Sequence, residues 1–301
     1  MAARTARIAI CLLLAAFGTT LNAQSPTPSG ARRAGSPSRI VSLVPALTEM
    51  LYAIGAGPRV VGVSSYDRFP DAVRALPIVG GLLDPDYERI ISLRPDLVIT
   101  YASQTELERR LTLAGIRVFS YRHRDLASVN ESLLALGQIT GQDADAKREA
   151  ARLTTRLDDI RRRVASLGRP RTLVSFGRDA DNLRRIYVSG GIGFVHDLVS
   201  IAGGDNVFSS VRRESLQPSL ETLLTSAPAV IVELRASAEP PRAVQERERS
   251  AWARLGAIPA VSTNRIHVLY GAYLTIPGPR LGDAAEALAR AIHPEAFREP
   301  R

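Results

Sequence analysis

The segment Asp143–Leu167 reads DADAKREAARLTTRLDDIRRRVASL, and its periodicity decides the architecture. Ala146, Ala150, Leu153, Leu157, Ile160, Val164 and Leu167 recur at alternating spacings of four and three, with Arg, Asp, Lys and Glu in most positions between them. That spacing predicts one long amphipathic helix with a buried face and a wet one. Gly141 turns the chain before it, Asp143 or Asp145 is placed to cap it, and Gly168 with Pro170 ends it. At ~1.5 Å per residue such a helix spans on the order of 37 Å, the width of a small domain. Lying midway along the chain, it is either a strut between two halves or a crossover helix inside a single α/β domain. The flanking sequences choose between the two.

On the N-terminal side, short apolar runs alternate with helical patterns. Arg39–Val44 reads as a strand and Pro45 starts a helix through Ile54, closed by Gly55 and Gly57. Strands follow at Val60–Ser64, Leu97–Tyr101 and Arg117–Tyr121, with a further extended piece at Pro77–Gly81. Helices are predicted from a start at Asp84-Pro85-Asp86-Tyr87-Glu88 to Leu93, over Thr105–Ala114 and over Asp125–Thr140. Alternating strands and helices imply a parallel sheet covered on both faces. On the C-terminal side the pattern returns, with strands at Thr172–Phe176, Arg185–Ser189, Val230–Leu234 and Arg265–Tyr270, and helices over Gly193–Ile201 and Pro279–Ile292. Two features repeat in order. Glu88 precedes Pro95 and a strand by the same interval as Glu221 precedes Pro228 and a strand, and the helices from Pro45 and Gly193 both stop at glycine turns. The expected fold is therefore α/β, two similar lobes with parallel-type sheets joined by one long rigid helix. The boundaries are 39–141 for the first lobe, 142–168 for the helix, 169–294 for the second lobe and 295–301 for a tail.

The first 23 residues differ in kind. Arg4 and Arg7 precede an apolar run, Ile8–Phe17, too short to span a bilayer, and Leu21-Asn22-Ala23 offers a cleavage site. This reads as a secretory signal followed by a flexible Ser/Pro/Gly/Arg leader over residues 24–38. The one cysteine, Cys11, falls inside the signal, so the mature chain is expected to carry neither disulfides nor a thiol nucleophile. The formal charge of +9 comes almost wholly from arginines scattered among acids, Lys147 being the single lysine, which argues against a nucleic-acid surface.

Arg39-Ile40-Val41-Ser42-Leu43-Val44-Pro45-Ala46-Leu47-Thr48-Glu49, Val63-Ser64-Ser65-Tyr66, Glu88-Arg89-Ile90, Leu93-Arg94-Pro95-Asp96-Leu97-Val98-Ile99 and Gly203-Gly204-Asp205-Asn206-Val207-Phe208 occur in that order. Together they resemble the periplasmic cobalamin-binding proteins of ABC importers, a family whose wider membership also binds iron siderophores and haem. The resemblance covers about Arg39 to Pro294. It implies two lobes on a rigid helix with the ligand in the cleft between them, in keeping with the preference of ligands for domain interfaces and for the carboxyl ends of parallel strands. It implies an extracytoplasmic, monomeric receptor that binds cobalamin as its cargo, with no cofactor of its own, and a membrane permease dimer as partner. By the same resemblance the cleft is lined by Val44, Pro45, Ala46, Leu47, Tyr66 and the Gly80-Gly81-Leu82 turn from the first lobe, and by Gly177, Arg178, Ser215 and Tyr273 from the second. Glu88 and Glu221, one per lobe, are implied to dock on arginines of the permease. Members that bind cobalamin often present tryptophans to the corrin, whereas Trp252 falls in a helix position expected to pack the second lobe.

The residues themselves argue little chemistry. His123, His196, His267 and His293 show no metal-ligand spacing and read as structural, and no metal site is expected. Gly191-Ile192-Gly193 lacks the third glycine of a dinucleotide fingerprint and reads as a tight helix start. With no nucleophile elbow and no P-loop, nothing argues for an enzyme. Two alternatives stay open, a siderophore or haem receptor of the same family and, from another class, an enzyme or sensor on the same scaffold.

Overall fold

Three short runs rich in branched aliphatic residues, with a fourth, Arg117–Tyr121, that is only partly buried, form the sheet of the first lobe. A computed structural model describes the chain at residues 35–179, 183–256 and 258–298; the signal segment and most of the leader lie outside these. Strands β1 (Ile40–Ser42) and β2 (Val60–Val63) flank helix α1 (Pro45–Ala53), and α2 (Tyr87–Ser92) leads to β3 (Leu97–Tyr101). Helix α3 (Thr105–Leu113) leads to β4 (Arg117–Tyr121), and α4 (Leu126–Thr140) closes the lobe. The order is β2-β1-β3-β4, all parallel, with Val41 beside Val98 and Ile99 beside Phe119. The extended piece expected at Pro77–Gly81 is reduced to one bridge, Ile78 on Val63.

Helix α5 (Asp143–Val164) is the predicted strut, three residues shorter than its apolar pattern. Ala146, Ala150, Leu153, Leu157, Ile160 and Val164 are its buried residues. They pack on α4 of the first lobe and on α10 (Leu281–Ile292) and α6 (Phe194–Ile201) of the second, so one core cluster runs through both lobes. Neither Asp143 nor Asp145 caps it: Gln142 holds the N-cap position without a side-chain bond, and the two aspartates sit in the first turn, where they favour the helix dipole. Gly137 of α4 lets the two helices touch, since a Cβ there would stand 2.5 Å from that of Ala146.

The second sheet runs β10-β9-β5-β6-β8, from β5 (Arg171–Gly177), β6 (Tyr187–Ser189), β8 (Ser215–Leu216), β9 (Val230–Arg235) and β10 (Ile266–Tyr270), with β7 (Asp205–Asn206) also paired to β5. Its β5, β7, β9 and β10 are parallel like the first sheet, but β6 and β8 are antiparallel additions at one edge. Helices α7 (Leu220–Ser226), α8 (Arg242–Ser250) and α9 (Pro259–Ser262) complete it. From Ser36 onward the chain forms one compact unit.

Candidate functional site

Parallel strands deliver their carboxyl ends to one edge, and in the first lobe that edge carries Val44-Pro45-Ala46 after β1, Tyr66 after β2, Tyr101 at the end of β3 and Tyr121 with His123 at the end of β4. The first turn of α1 is built by short polar side chains: Ser42 Oγ and Thr48 Oγ1 both donate to the Val44 carbonyl, at 3.3 and 3.2 Å. Across from it stand Phe176 of β5, Ile192-Gly193-Phe194 at the start of α6, Glu214-Ser215 at β8 and Thr275-Ile276-Pro277 before α10.

Two cavities lie between these walls. One of about 240 Å³ is lined from the first lobe by Val44, Pro45, Ala46, Tyr101 and Tyr121 and from the second by Ile276 and Pro277. The other, of about 220 Å³, is lined chiefly by the second lobe, through Phe176, Ile192, Val195, Glu214 and Ser215. His123, Phe194 and Thr275 line both, so the two form one interlobe cleft. Its aromatic rings interlock: Tyr101 meets Tyr121 edge-on at 6.1 Å between centroids, and His123 meets Phe194 edge-on at 5.2 Å. The Tyr121 hydroxyl lies 3.0 Å from His123 Nδ1, which fixes that ring. Burial pushes the Tyr101 phenol up to about 12, raises that of Tyr121 as well, and lowers His123, so the lining presents neutral phenols and a neutral imidazole at physiological pH. His123 is the one imidazole among the described residues of either lining, and thus the side chain there suited to a metal-centred ligand.

The structure sorts the sequence-derived residues. Pro45, Ala46 and Ser215 line the cleft. Tyr66, Gly81 and Leu82 line neither cavity: the Tyr66 ring lies against Gly81, where a Cβ would come within 2.7 Å of it, and Gln104 Nε2 donates to the Gly81 and Leu82 carbonyls at 3.1 Å each. Tyr66 is 61% exposed, so its face is open to a ligand or to water. Gly177 faces the Tyr187 ring, and Tyr273 packs over Gly271, one turn behind the cleft residue Thr275.

Two residues are corrected. Leu47 is fully buried in the first-lobe core, because its position in α1 faces the sheet. Arg178 is withdrawn into the second lobe: Nε donates to Glu233 Oε2 at 3.0 Å and Nη2 to the Glu248 carbonyl at 2.7 Å, while Trp252 Nε1 donates to the same Glu233 oxygen at 2.7 Å. A buried carboxylate demands such donors, and Arg178 supplies them from a position the sequence reading placed in the cleft. Of the four histidines read as structural, His123 is in the cleft, whereas His196 bonds Asn206 and His293 spans Glu295 and the Gly203 carbonyl. No group of three or more His, Cys, Asp or Glu able to hold a metal occurs among the described residues. Gly190 and Gly191 are required by contact, since a Cβ on either would stand about 2 Å from a backbone oxygen of the 209–213 loop.

Glu88 and Glu221 hold matching places, each the second residue of a short helix, α2 capped by Asp86 and α7 by Ser219. The Glu88 side chain is 85% exposed, with Arg110 at 3.5 Å, and Glu221 is exposed as well.

Comparison with known proteins bears on this arrangement. Residues 40–272 match the profile of the periplasmic binding protein family. The chain is 27% identical over 271 residues to an uncharacterized ABC transporter substrate-binding lipoprotein of Bacillus subtilis strain 168, covering 87% of this chain and 82% of the relative. It is 30% identical over 202 residues to the vitamin B12-binding protein of Yersinia pestis strain Pestoides F, covering 66% of this chain and 70% of that one. Its fold is similar to a periplasmic haem-binding protein of Pseudomonas aeruginosa, with a TM-score of 0.75 and 26% identity over 88% of this chain and 95% of that one.

Proposed function

Because the chain belongs to the periplasmic binding protein family, as a substrate-binding protein of an ABC importer, we propose that its cargo is a corrinoid held between the lobes. The observation that carries this reading is the cleft itself, walled by Tyr101, Tyr121, Phe176 and Phe194. Aromatic and aliphatic walls with few polar groups suit a large flat macrocycle, which they bind by area and shape. The vitamin B12-binding relative supports the choice of corrinoid. The receptor acts outside the cytoplasm as a monomer after removal of the signal at residues 1–23, and hands its cargo to a permease dimer in the membrane. Among the described residues no helix is long and apolar enough to cross a membrane itself.

Haem is the second reading, and His123 favours it, since a neutral imidazole in the lining is a ligand for iron as well as for cobalt. Parallel titrations of the mature chain with cyanocobalamin and with haemin, read by absorbance and calorimetry, separate the two. Saturable corrinoid binding with a Kd on the order of micromolar or below supports the proposal. Haemin bound tightly, with no corrinoid binding, overturns it in favour of the other cargo.

A further inference from the structure

The lobes are joined by more than the strut. Arg280, at the start of α10 in the second lobe, reaches across to Glu49 of α1 in a bidentate pair, Nε to Oε2 at 2.9 Å and Nη2 to Oε1 at 2.5 Å. Glu49 is 4% exposed, and burial raises its pKa, so its charged form depends on the guanidinium opposite. The same guanidinium lies 4.1 Å from the Phe69 ring centroid, a third first-lobe contact from a different loop. On the other flank, Asp197 of α6 accepts from the backbone N–H of Leu126 at 3.0 Å, giving a partner from the second lobe to the first orphan donor of α4.

These links bracket the cleft. Pro45 and Ala46 lie within one helical turn of Glu49, and Ile276 and Pro277 lie a few residues before Arg280, so the Arg280–Glu49 pair ties together two facing walls of one cavity. Gly278 lies along that seam, a Cβ on it falling in ordinary contact, 3.4 Å from Glu49 Oε2 and 3.5 Å from the Ala46 carbonyl oxygen. His123 and Phe194, which line both cavities, lie three residues from Leu126 and Asp197 respectively, so the second link holds the opposite pair of walls. A helix packed on both lobes fixes their separation along its axis, but it leaves rotation about that axis to whatever crosses the gap. Short polar bonds at two corners remove that freedom.

We propose that Arg280 and Asp197 are positioning residues that set the opening of the interlobe cleft, and thereby the rate at which a bound ligand leaves. The proposal rests on the reading of the cleft as the binding site but not on the identity of the cargo.

The test uses the mature chain, which has no cysteine once residues 1–23 are removed. Spin labels on Asp71→Cys and Arg242→Cys, whose side chains are 89% and 91% exposed, report the distance between lobes. In this background Arg280→Ala is expected to broaden the ligand-free distance distribution and shift it outward, with Arg280→Lys intermediate because a lysine keeps the charge but loses the fork. Asp197→Ala is expected to do the same, and Asp197→Asn to restore the parent distribution, since an amide oxygen still accepts from Leu126. Dissociation of cyanocobalamin should be at least about tenfold faster in Arg280→Ala, with association little changed. A parental distribution in Arg280→Ala and Asp197→Ala overturns the proposal, even if both lower the melting temperature. Should Arg280→Ala fail to fold, Arg280→Lys and Glu49→Gln carry the same decision. Broadened distributions in a protein that binds no corrinoid refute the cargo instead; release is then read with haemin, and a rate unchanged by Arg280→Ala overturns the inference.

Discussion

Replacing Gly137 by Ala tests the crossing on which the strut depends. In an isolated helix the change favours folding by up to about 1 kcal/mol, because glycine loses the most backbone freedom on becoming helical. Here the added Cβ would stand 2.5 Å from the Ala146 Cβ and 3.2 Å from the Gln142 carbonyl oxygen, on helices that pack along their length. Two backbones must separate to relieve this contact, and overpacking of that kind costs about 1–3 kcal/mol. The net expectation is a loss of up to about 2 kcal/mol, read as a lower urea midpoint and a melting temperature lower by up to roughly 6 °C. Ala146→Gly alone should also destabilise, by about 1 kcal/mol of helix propensity. Combined, the two exchange which helix carries the methyl, so the double variant should lie within about 1 kcal/mol of the parent and show a coupling of at least that size. Gly168→Ala is the control, since a Cβ there meets nothing within 4 Å. Its effect should stay within about 0.5 kcal/mol. Gly137→Ala at or above parental stability, or additive behaviour of the pair, would refute the close crossing.

Three further outcomes follow from the site and its surroundings. Converting both Glu88 and Glu221 to Ala should leave cyanocobalamin affinity intact and abolish capture by the permease in a pull-down, while each single change weakens capture in a salt-dependent way; unchanged capture by the double variant would remove the docking role. Burial holds His123 below its ordinary value of 6.5, so the unfolded chain binds the extra proton first; the stability this confers is present above pH 6.5 and lost as the pH falls toward the folded-state pKa. A His123→Gln variant should therefore show a shallower fall in melting temperature between about pH 7 and pH 5 than the parent, and an equal fall would contradict the burial argument. Trp252→Phe removes a donor to the buried Glu233 carboxylate and should cost about 1–3 kcal/mol in urea unfolding, with corrinoid affinity unchanged.

What could be read in the sequence was local. The strut announced itself because its buried residues recur on one helical face, and β2 and β3 of the first sheet because each is a short run rich in branched aliphatic residues bounded by turns. The strand β6 was expected within Arg185–Ser189, but the two-residue edge strand β8 gave no such signal: it is too short for any period to register, and its antiparallel pairing with β6 depends on a loop that returns from elsewhere. The cleft was legible chiefly on the side that the family motif marks, Val44, Pro45 and Ala46, with Ser215 alone from the second lobe. His123, Tyr101 and Tyr121 each end a strand or follow one, positions with no pattern of their own, and they become a site only when Phe194 and Thr275 arrive from the other lobe. Arg178 misled for a related reason. The resemblance placed it at the cleft, and the partners that bury it, Glu233 and Trp252, lie far along the chain.

The central claim is that this cleft holds one corrinoid and releases it unaltered. Native mass spectrometry of the mature chain saturated with cyanocobalamin, followed by denaturation and mass analysis of what is released, tests it most directly. One intact corrinoid per chain, recovered with its mass unchanged and reduced in occupancy by Arg280→Ala, is the expected result. A chain that takes up no corrinoid, or one that returns it as a different compound, would contradict the claim.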